Sequence, residues 1–122
     1  MSKGTVLICE DEFVVALDLQ MMIEDFGFDT TGPYASVEEA IGTLPGNLPD
    51  VAVLDVSLKD GEVFPLADKL QEQGVPLIFH SGHVYDHEIF ERYPGAACCQ
   101  KPVNMALLQD ALMERTAVRV AS

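Results

Sequence analysis

Short apolar runs of strand length alternate five times with longer stretches of helical period, and few folds accommodate that order. The runs are Thr5–Cys9, Phe28–Thr31, Val51–Leu54, Pro76–Phe79 and Ala96–Cys99. After the first, Val15, Ala16, Leu19, Met22, Ile23 and Phe26 share one face of a helix that starts at Phe13 and stops at Gly27. Gly32-Pro33 is expected to end the second strand. Ser36, with Glu39 three residues on, is a capping-box pattern that opens a short helix to about Leu44. Asp60-Gly61 turns the chain into a helix over Glu62–Gln73, closed by Gly74. Asp86–Tyr93 reads as a helix stopped by Pro94-Gly95, and Met105–Arg115 as a last one with Leu108, Ala111 and Leu112 inward. Strict strand–helix alternation implies a parallel sheet covered by helices on both faces. Such sheets bind ligands beyond the carboxyl ends of their strands, so the residues just after each strand matter most.

Those positions hold Glu10, Asp11 and Glu12 after the first strand, and Asp55 after the third. Ser81 follows the fourth, and Lys101-Pro102 the fifth. Carboxylates brought to one sheet edge repel one another, and a hard divalent cation relieves the conflict. All-oxygen ligation suits Mg²⁺, which keeps several of its waters. Lys101 adds a fixed positive charge and Ser81 a hydroxyl. Together they suit a phosphoryl group in transfer, with Asp55 as the nucleophile that forms an acyl phosphate. Glu12 reads as a first-turn acid favoured by the helix dipole.

On these residues the chain resembles the receivers of bacterial two-component response regulators, over essentially its whole length. The marks are Glu10-Asp11 after Val6-Leu7-Ile8-Cys9, the apolar run into Asp55 with Asp60-Gly61 downstream, Ser81-Gly82, and Lys101-Pro102. The resemblance implies a flavodoxin-like (βα)5 three-layer sandwich, an α/β fold with a parallel five-stranded sheet in order 2-1-3-4-5. It implies that Asp55 is the phosphorylated residue and that Glu10, Asp11, Asp55 and the backbone carbonyl of Ser57 bind Mg²⁺. Ser81 would swing toward the phosphoryl group and Lys101 would pair with it. A histidine kinase or phosphotransfer protein would donate the group. A finer resemblance is to the subgroup whose fourth strand reads Pro-Phe-x-Phe-Ala-Thr-Gly-Tyr, here Pro76-Leu77-Ile78-Phe79-His80-Ser81-Gly82-His83. Its members are often single-domain proteins of alphaproteobacterial stress signalling.

Three departures stand out. Cys98 occupies the place of the aromatic that usually rotates inward on activation. The turn Val56–Gly61 is short and lacks its usual proline. His83 sits where receivers tune the lifetime of the acyl phosphate. A degenerate receiver that binds partners without phosphorylation is the alternative.

Composition narrows the remaining choices. A chain of 122 residues with 48% hydrophobic content fits one receiver domain over residues 1–122. Seven Lys and Arg against twenty Asp and Glu give a formal charge of 7 − 20 = −13, which argues against nucleic acid and anionic lipid as partners. No apolar run spans a bilayer, and the first residues lack the apolar length of a signal peptide, so a cytoplasmic protein is expected. Cys9, Cys98 and Cys99 are expected to be small buried strand residues, and a zinc site built on His83 and His87 is disfavoured because no cysteine lies at a suitable spacing. Strand alternation is expected to turn His80 away from Ser81 and the site. Two enzyme or cofactor readings also fall. A haloacid-dehalogenase-type phosphatase needs an aspartate two residues after its nucleophile, where Ser57 stands, and the acids Glu10-Asp11-Glu12 would repel the phosphate of a flavin. With no output domain in view, the expected product is not an enzyme but a monomer or weak dimer that signals through a downstream protein partner.

Overall fold

The computed structural model describes residues 2–82 and 87–121. Strand β1 (Thr5–Cys9) leads into α1 (Phe13–Asp25), followed by β2 (Asp29–Tyr34) and α2 (Val37–Thr43). Strand β3 (Val51–Asp55) is followed by two short strands, β4 (Ser57–Leu58) and β5 (Gly61–Glu62), and then α3 (Phe64–Glu72). The rest is β6 (Leu77–Ser81), α4 (His87–Arg92), β7 (Ala97–Gln100) and α5 (Met105–Ala121). Five strands form a parallel sheet in order β2-β1-β3-β6-β7. Without the β4–β5 hairpin, that is the expected order 2-1-3-4-5.

Side-chain alternation divides the core between the two faces of the sheet. Leu7, Cys9, Ala52, Leu54, Leu77 and Phe79 pack with residues of α2, α3 and α4. Val6, Ile8, Val51, Val53 and Ile78 pack with Leu19 and Ile23 of α1 and Leu108, Ala111 and Leu112 of α5. Every residue of β3 is buried, as a central parallel strand requires. The α1 stripe meets the core through Ala16, Leu19 and Ile23, while Phe13, Val14, Leu17 and Met21 of the same helix are exposed.

Several boundaries differ from expectation, among them that β3 includes Asp55 and β6 includes Ser81. Gly32-Pro33 does not end β2, which runs on to Tyr34. As an edge strand, β2 tolerates a residue without an N–H, and its register with β1 shifts between Leu7 and Cys9. Gly32 has φ +95°, and a Cβ there would stand 2.6 Å from the carbonyl oxygen of Ile8. Helix α3 starts at Phe64 rather than Glu62, because Gly61 and Glu62 pair antiparallel with Leu58 and Ser57. Helix α5 extends beyond Arg115 to Ala121.

Ser36 caps α2 as expected, with the Glu39 N–H donating to the Ser36 Oγ at 3.2 Å, which is the serine half of the capping-box pattern. Asp60 adds a second cap to the same helix. Its two carboxylate oxygens accept from the N–H groups of Val37 (2.8 Å) and Glu38 (3.1 Å), tying the loop after β3 to α2. Among the described residues, no helix is long and apolar enough to cross a membrane.

Candidate functional site

Sheet register brings the strand ends together. Cys9 is paired with Leu54, so Glu10 and Asp55, the next residues on β1 and β3, emerge side by side. Asp55 is in turn paired with His80 of β6, and Ser81 with Gln100 of β7, one residue before Lys101. The N–H of Lys101 donates to the carbonyl of Ser81 at 2.8 Å, which fixes the start of its loop.

Carboxylate oxygens of Glu10, Asp11 and Asp55 lie within 4.8 Å of one another. The Nζ of Lys101 stands 2.8 Å from Oε1 of Glu10, 3.0 Å from Oδ2 of Asp55 and 3.9 Å from Oε1 of Glu12. The Ser57 N–H donates to Oδ1 of Asp55 at 3.3 Å. Above these groups is a cleft of about 310 Å³ that Asp11, Asp55, Ser57, Ser81 and Lys101 help to line. The sequence-selected Glu10, Asp11, Asp55, Ser57, Ser81 and Lys101 thus converge. Glu12 stands at the N-terminal end of α1, one residue before its first turn. It occupies the N-cap position of α1 without capping it by its side chain, and its N–H donates to Oε2 of Glu10 at 3.1 Å.

Electrostatics follow from burial and like charge. Asp55 is 6% exposed, and its pKa is pushed up to about 6, by burial first and by Glu10 next, with Lys101 pulling the other way. Burial would also raise Glu10, but His80, Lys101, Asp55 and the Glu12 N–H outweigh it and hold that carboxyl well below the usual range. Asp11 is raised by burial and by Glu10. For Lys101, burial would lower the pKa, but Glu10 and Asp55 turn the shift upward. Of the two buried acids, Glu10 keeps its charge and Asp55 bears the repulsion. One ammonium does not neutralise the carboxylates around it, and a cation among them would lower Asp55 again.

His80 is a site residue that the sequence reading placed elsewhere. Alternation does put it on the opposite face from Ser81, yet Glu10 lies on that same face. The Nδ1 of His80 comes within 3.6 Å of Oε1 of Glu10. A polar residue at the end of the apolar run Leu77–Phe79 was the available signal. The zinc reading of His83 and His87 falls outside the described residues and side chains. Cys9 and Cys99 are buried as expected, whereas Cys98 is exposed on the edge strand β7. Tyr93 lies against Phe79 (centroids 5.2 Å apart) and Phe64 (6.2 Å), and its hydroxyl donates to Asp68 at 2.5 Å.

No protein-family model matches the chain, and no curated protein matches it in sequence. Solved structures do. The chain is similar to the response regulator receiver protein from Sinorhizobium medicae WSM419, at 26% identity over 94% of this chain and 95% of that one, with a TM-score of 0.83. It is similar to the signal receiver domain of a modulated diguanylate cyclase from Desulfovibrio desulfuricans G20, at 27% identity over 97% of each chain and a TM-score of 0.81. It is also similar to SdrG from Sphingomonas melonis Fr1, at 30% identity over 94% of this chain and 98% of that one, with a TM-score of 0.78. Likeness to receivers from end to end, on a sheet of the order their resemblance implied, leaves one assignment: this chain belongs to the response-regulator receiver domains.

Proposed function

We propose that the chain accepts a phosphoryl group on Asp55 from a histidine kinase or phosphotransfer protein, in a Mg²⁺-dependent step, and signals through a protein partner. The observation that carries this reading is the position of Asp55. Its Oδ2 is 3.0 Å from the Lys101 ammonium, with the carboxylates of Glu10 and Asp11 grouped around it within 4.8 Å.

In the proposed step, a carboxylate oxygen of Asp55 attacks phosphorus in line with the donor histidine. The P–O bond of the acyl phosphate forms as the P–N bond breaks, and its electron pair returns to the imidazole. Lys101, anchored at the end of β7, offsets charge on the transferred oxygens. The Ser57 N–H and the Ser81 hydroxyl, both at the cleft, would donate to those oxygens.

The acids fit a hard cation. They offer oxygen ligands alone, and Oε1 of Glu10 is buried without a well-aligned hydrogen bond despite the nearby ammonium. Glu10, Asp11 and Asp55 would hold the ion, with the backbone carbonyl of Ser57 as a further ligand. Bound there, Mg²⁺ would supply the charge neutralisation that lets an anionic nucleophile meet an anionic phosphoryl group.

Cys98, exposed where receivers carry an aromatic switch, favours a second reading, a binding module indifferent to phosphorylation. Intact-protein mass after incubation with acetyl phosphate, with and without Mg²⁺, separates the two. The phosphoacceptor reading expects one Mg²⁺-dependent phosphoryl adduct on the wild type and none on Asp55→Asn. A folded wild type that takes no adduct from acetyl phosphate or from a phosphorylated histidine phosphotransfer protein would leave the binding module.

A further inference from the structure

His80 is 2% exposed, and neither ring nitrogen has a hydrogen-bond partner among the described residues. A buried imidazole left unsatisfied at both nitrogens is costly, and apolar residues serve the preceding positions of β6 well. What lies nearest in charge is Glu10. The Nδ1 of His80 is 3.6 Å from its Oε1, and the Glu10 side chain has no exposure of its own. That distance is too long for a hydrogen bond, but a shift of under about 1 Å would make one.

At present Lys101 serves Oε1 of Glu10 at 2.8 Å while also holding Asp55 at 3.0 Å. Phosphorylation would change this division. Once Asp55 is an acyl phosphate, its negative charge passes outward to the phosphoryl oxygens, and the flexible lysine stem follows it. Oε1 of Glu10 would then be a buried carboxylate oxygen with its nearest cation withdrawn. Such a group tends to turn away toward other partners, and then serves less well as a metal ligand.

We propose that His80 is a positioning residue for Glu10: its Nδ1–H closes on Oε1 when Lys101 moves to the phosphoryl group, holding that carboxylate in place beside Asp11 and Asp55. The inference rests on the phosphoacceptor reading above. The Glu12 N–H already holds Oε2 at 3.1 Å, so both oxygens would have a donor and a lone pair to spare. The imidazole acts through its Nδ1–H, and an orienting partner of this kind commonly governs metal affinity.

The test is Mg²⁺ affinity by isothermal titration calorimetry, with and without beryllofluoride as the phosphoryl mimic. The proteins are the wild type, His80→Leu, His80→Asn and His80→Gln, each first shown folded by circular dichroism. An Asn amide places its N–H near the Nδ1 position, and a Gln amide nearer Nε2. With the mimic present, His80→Leu and His80→Gln are expected to bind Mg²⁺ about tenfold to a hundredfold more weakly, and His80→Asn within about threefold of wild type. Without it, while Lys101 still serves Glu10, the losses are expected to be smaller. Equal affinity for wild type and His80→Leu overturns the inference, and so does equal weakening of Asn and Gln, which would mark a packing role. If His80→Leu does not fold, the Asn–Gln comparison decides. A wild type that binds no Mg²⁺ overturns the phosphoacceptor reading itself, whatever the His80 variants do. Nitrogen-15 NMR supplies an independent readout: Nε2–H as the tautomer in the beryllofluoride form would also overturn the proposal.

Discussion

The Nζ of Lys101 lies 3.0 Å from Oδ2 of Asp55, and the same ammonium is closer still, at 2.8 Å, to Glu10. One cation is therefore divided between two buried acids that stand at adjacent strand ends. The two carboxyls still shift in opposite directions: burial and Glu10 raise Asp55, whereas His80, Lys101, Asp55 and the Glu12 N–H together hold Glu10 down. The division also means that the metal-free fold carries stored repulsion, which can be measured.

Asp55→Asn is expected to stabilise the metal-free protein at neutral pH. The Asp55 carboxyl is raised from 3.8 to about 6, so its contribution to stability is full below the ordinary value and is lost as pH rises through about 6. Glu10 runs the other way: its contribution is present above the ordinary 4.5 and is lost only as pH falls below that. In EDTA near about pH 7.5, urea denaturation should find the Asn variant more stable by on the order of 1–2 kcal/mol, with the advantage gone near about pH 4. No gain at neutral pH would show that the acids do not repel as their geometry implies.

Lys101→Met should act in the opposite sense. It leaves Glu10, whose side chain is fully buried, without its nearest cation. Thermal unfolding in EDTA is expected to show a loss on the order of 3 kcal/mol, partly recovered by millimolar Mg²⁺. A melting temperature that ignores Mg²⁺ would argue against a cation at these acids.

Tyr93→Phe tests the aromatic group that lies beside Phe79. The variant removes a hydroxyl donating to Asp68 at 2.5 Å while leaving the ring contacts with Phe79 and Phe64 in place. Asp68 is half-exposed and keeps two bonds from Arg92, so the expected cost is only about 1 kcal/mol by urea denaturation. A much larger loss would mean that the hydroxyl anchors α4 to α3 more firmly than one bond accounts for.

Asp60→Ala should loosen the start of α2 selectively. Hydrogen exchange at Val37 and Glu38, whose N–H groups Asp60 accepts, is expected to speed up by about tenfold. Glu39, capped by Ser36, serves as the internal control and should change little. Uniform acceleration along α2 would show that the two caps act as one unit.

Much of the site was legible because it depends on strand ends. Alternating strand and helix patterns dictate a parallel sheet, and that topology sends Glu10, Asp11, Asp55, Ser81 and Lys101 to one edge whatever the details of packing. Ser36 and Glu39 marked the start of α2 by local chemistry alone. Less legible was whatever depends on a neighbour distant in sequence. Pro33 is compatible with β2 only because β2 lies at the sheet edge, and a local reading sees only a strand breaker. The hairpin of Ser57-Leu58 with Gly61-Glu62 likewise displaced the expected helix start.

His80 marks the boundary between the two kinds of information. The sequence by itself determined the sheet, the strand ends and the face on which His80 lies, because these follow from periodicity and chain alternation. Only the tertiary structure decided that Glu10 comes up on that same face, 3.6 Å away, since the contact depends on the register of β1, β3 and β6. Register is set by packing among residues up to seventy positions apart, from Glu10 to His80, and no local pattern encodes it.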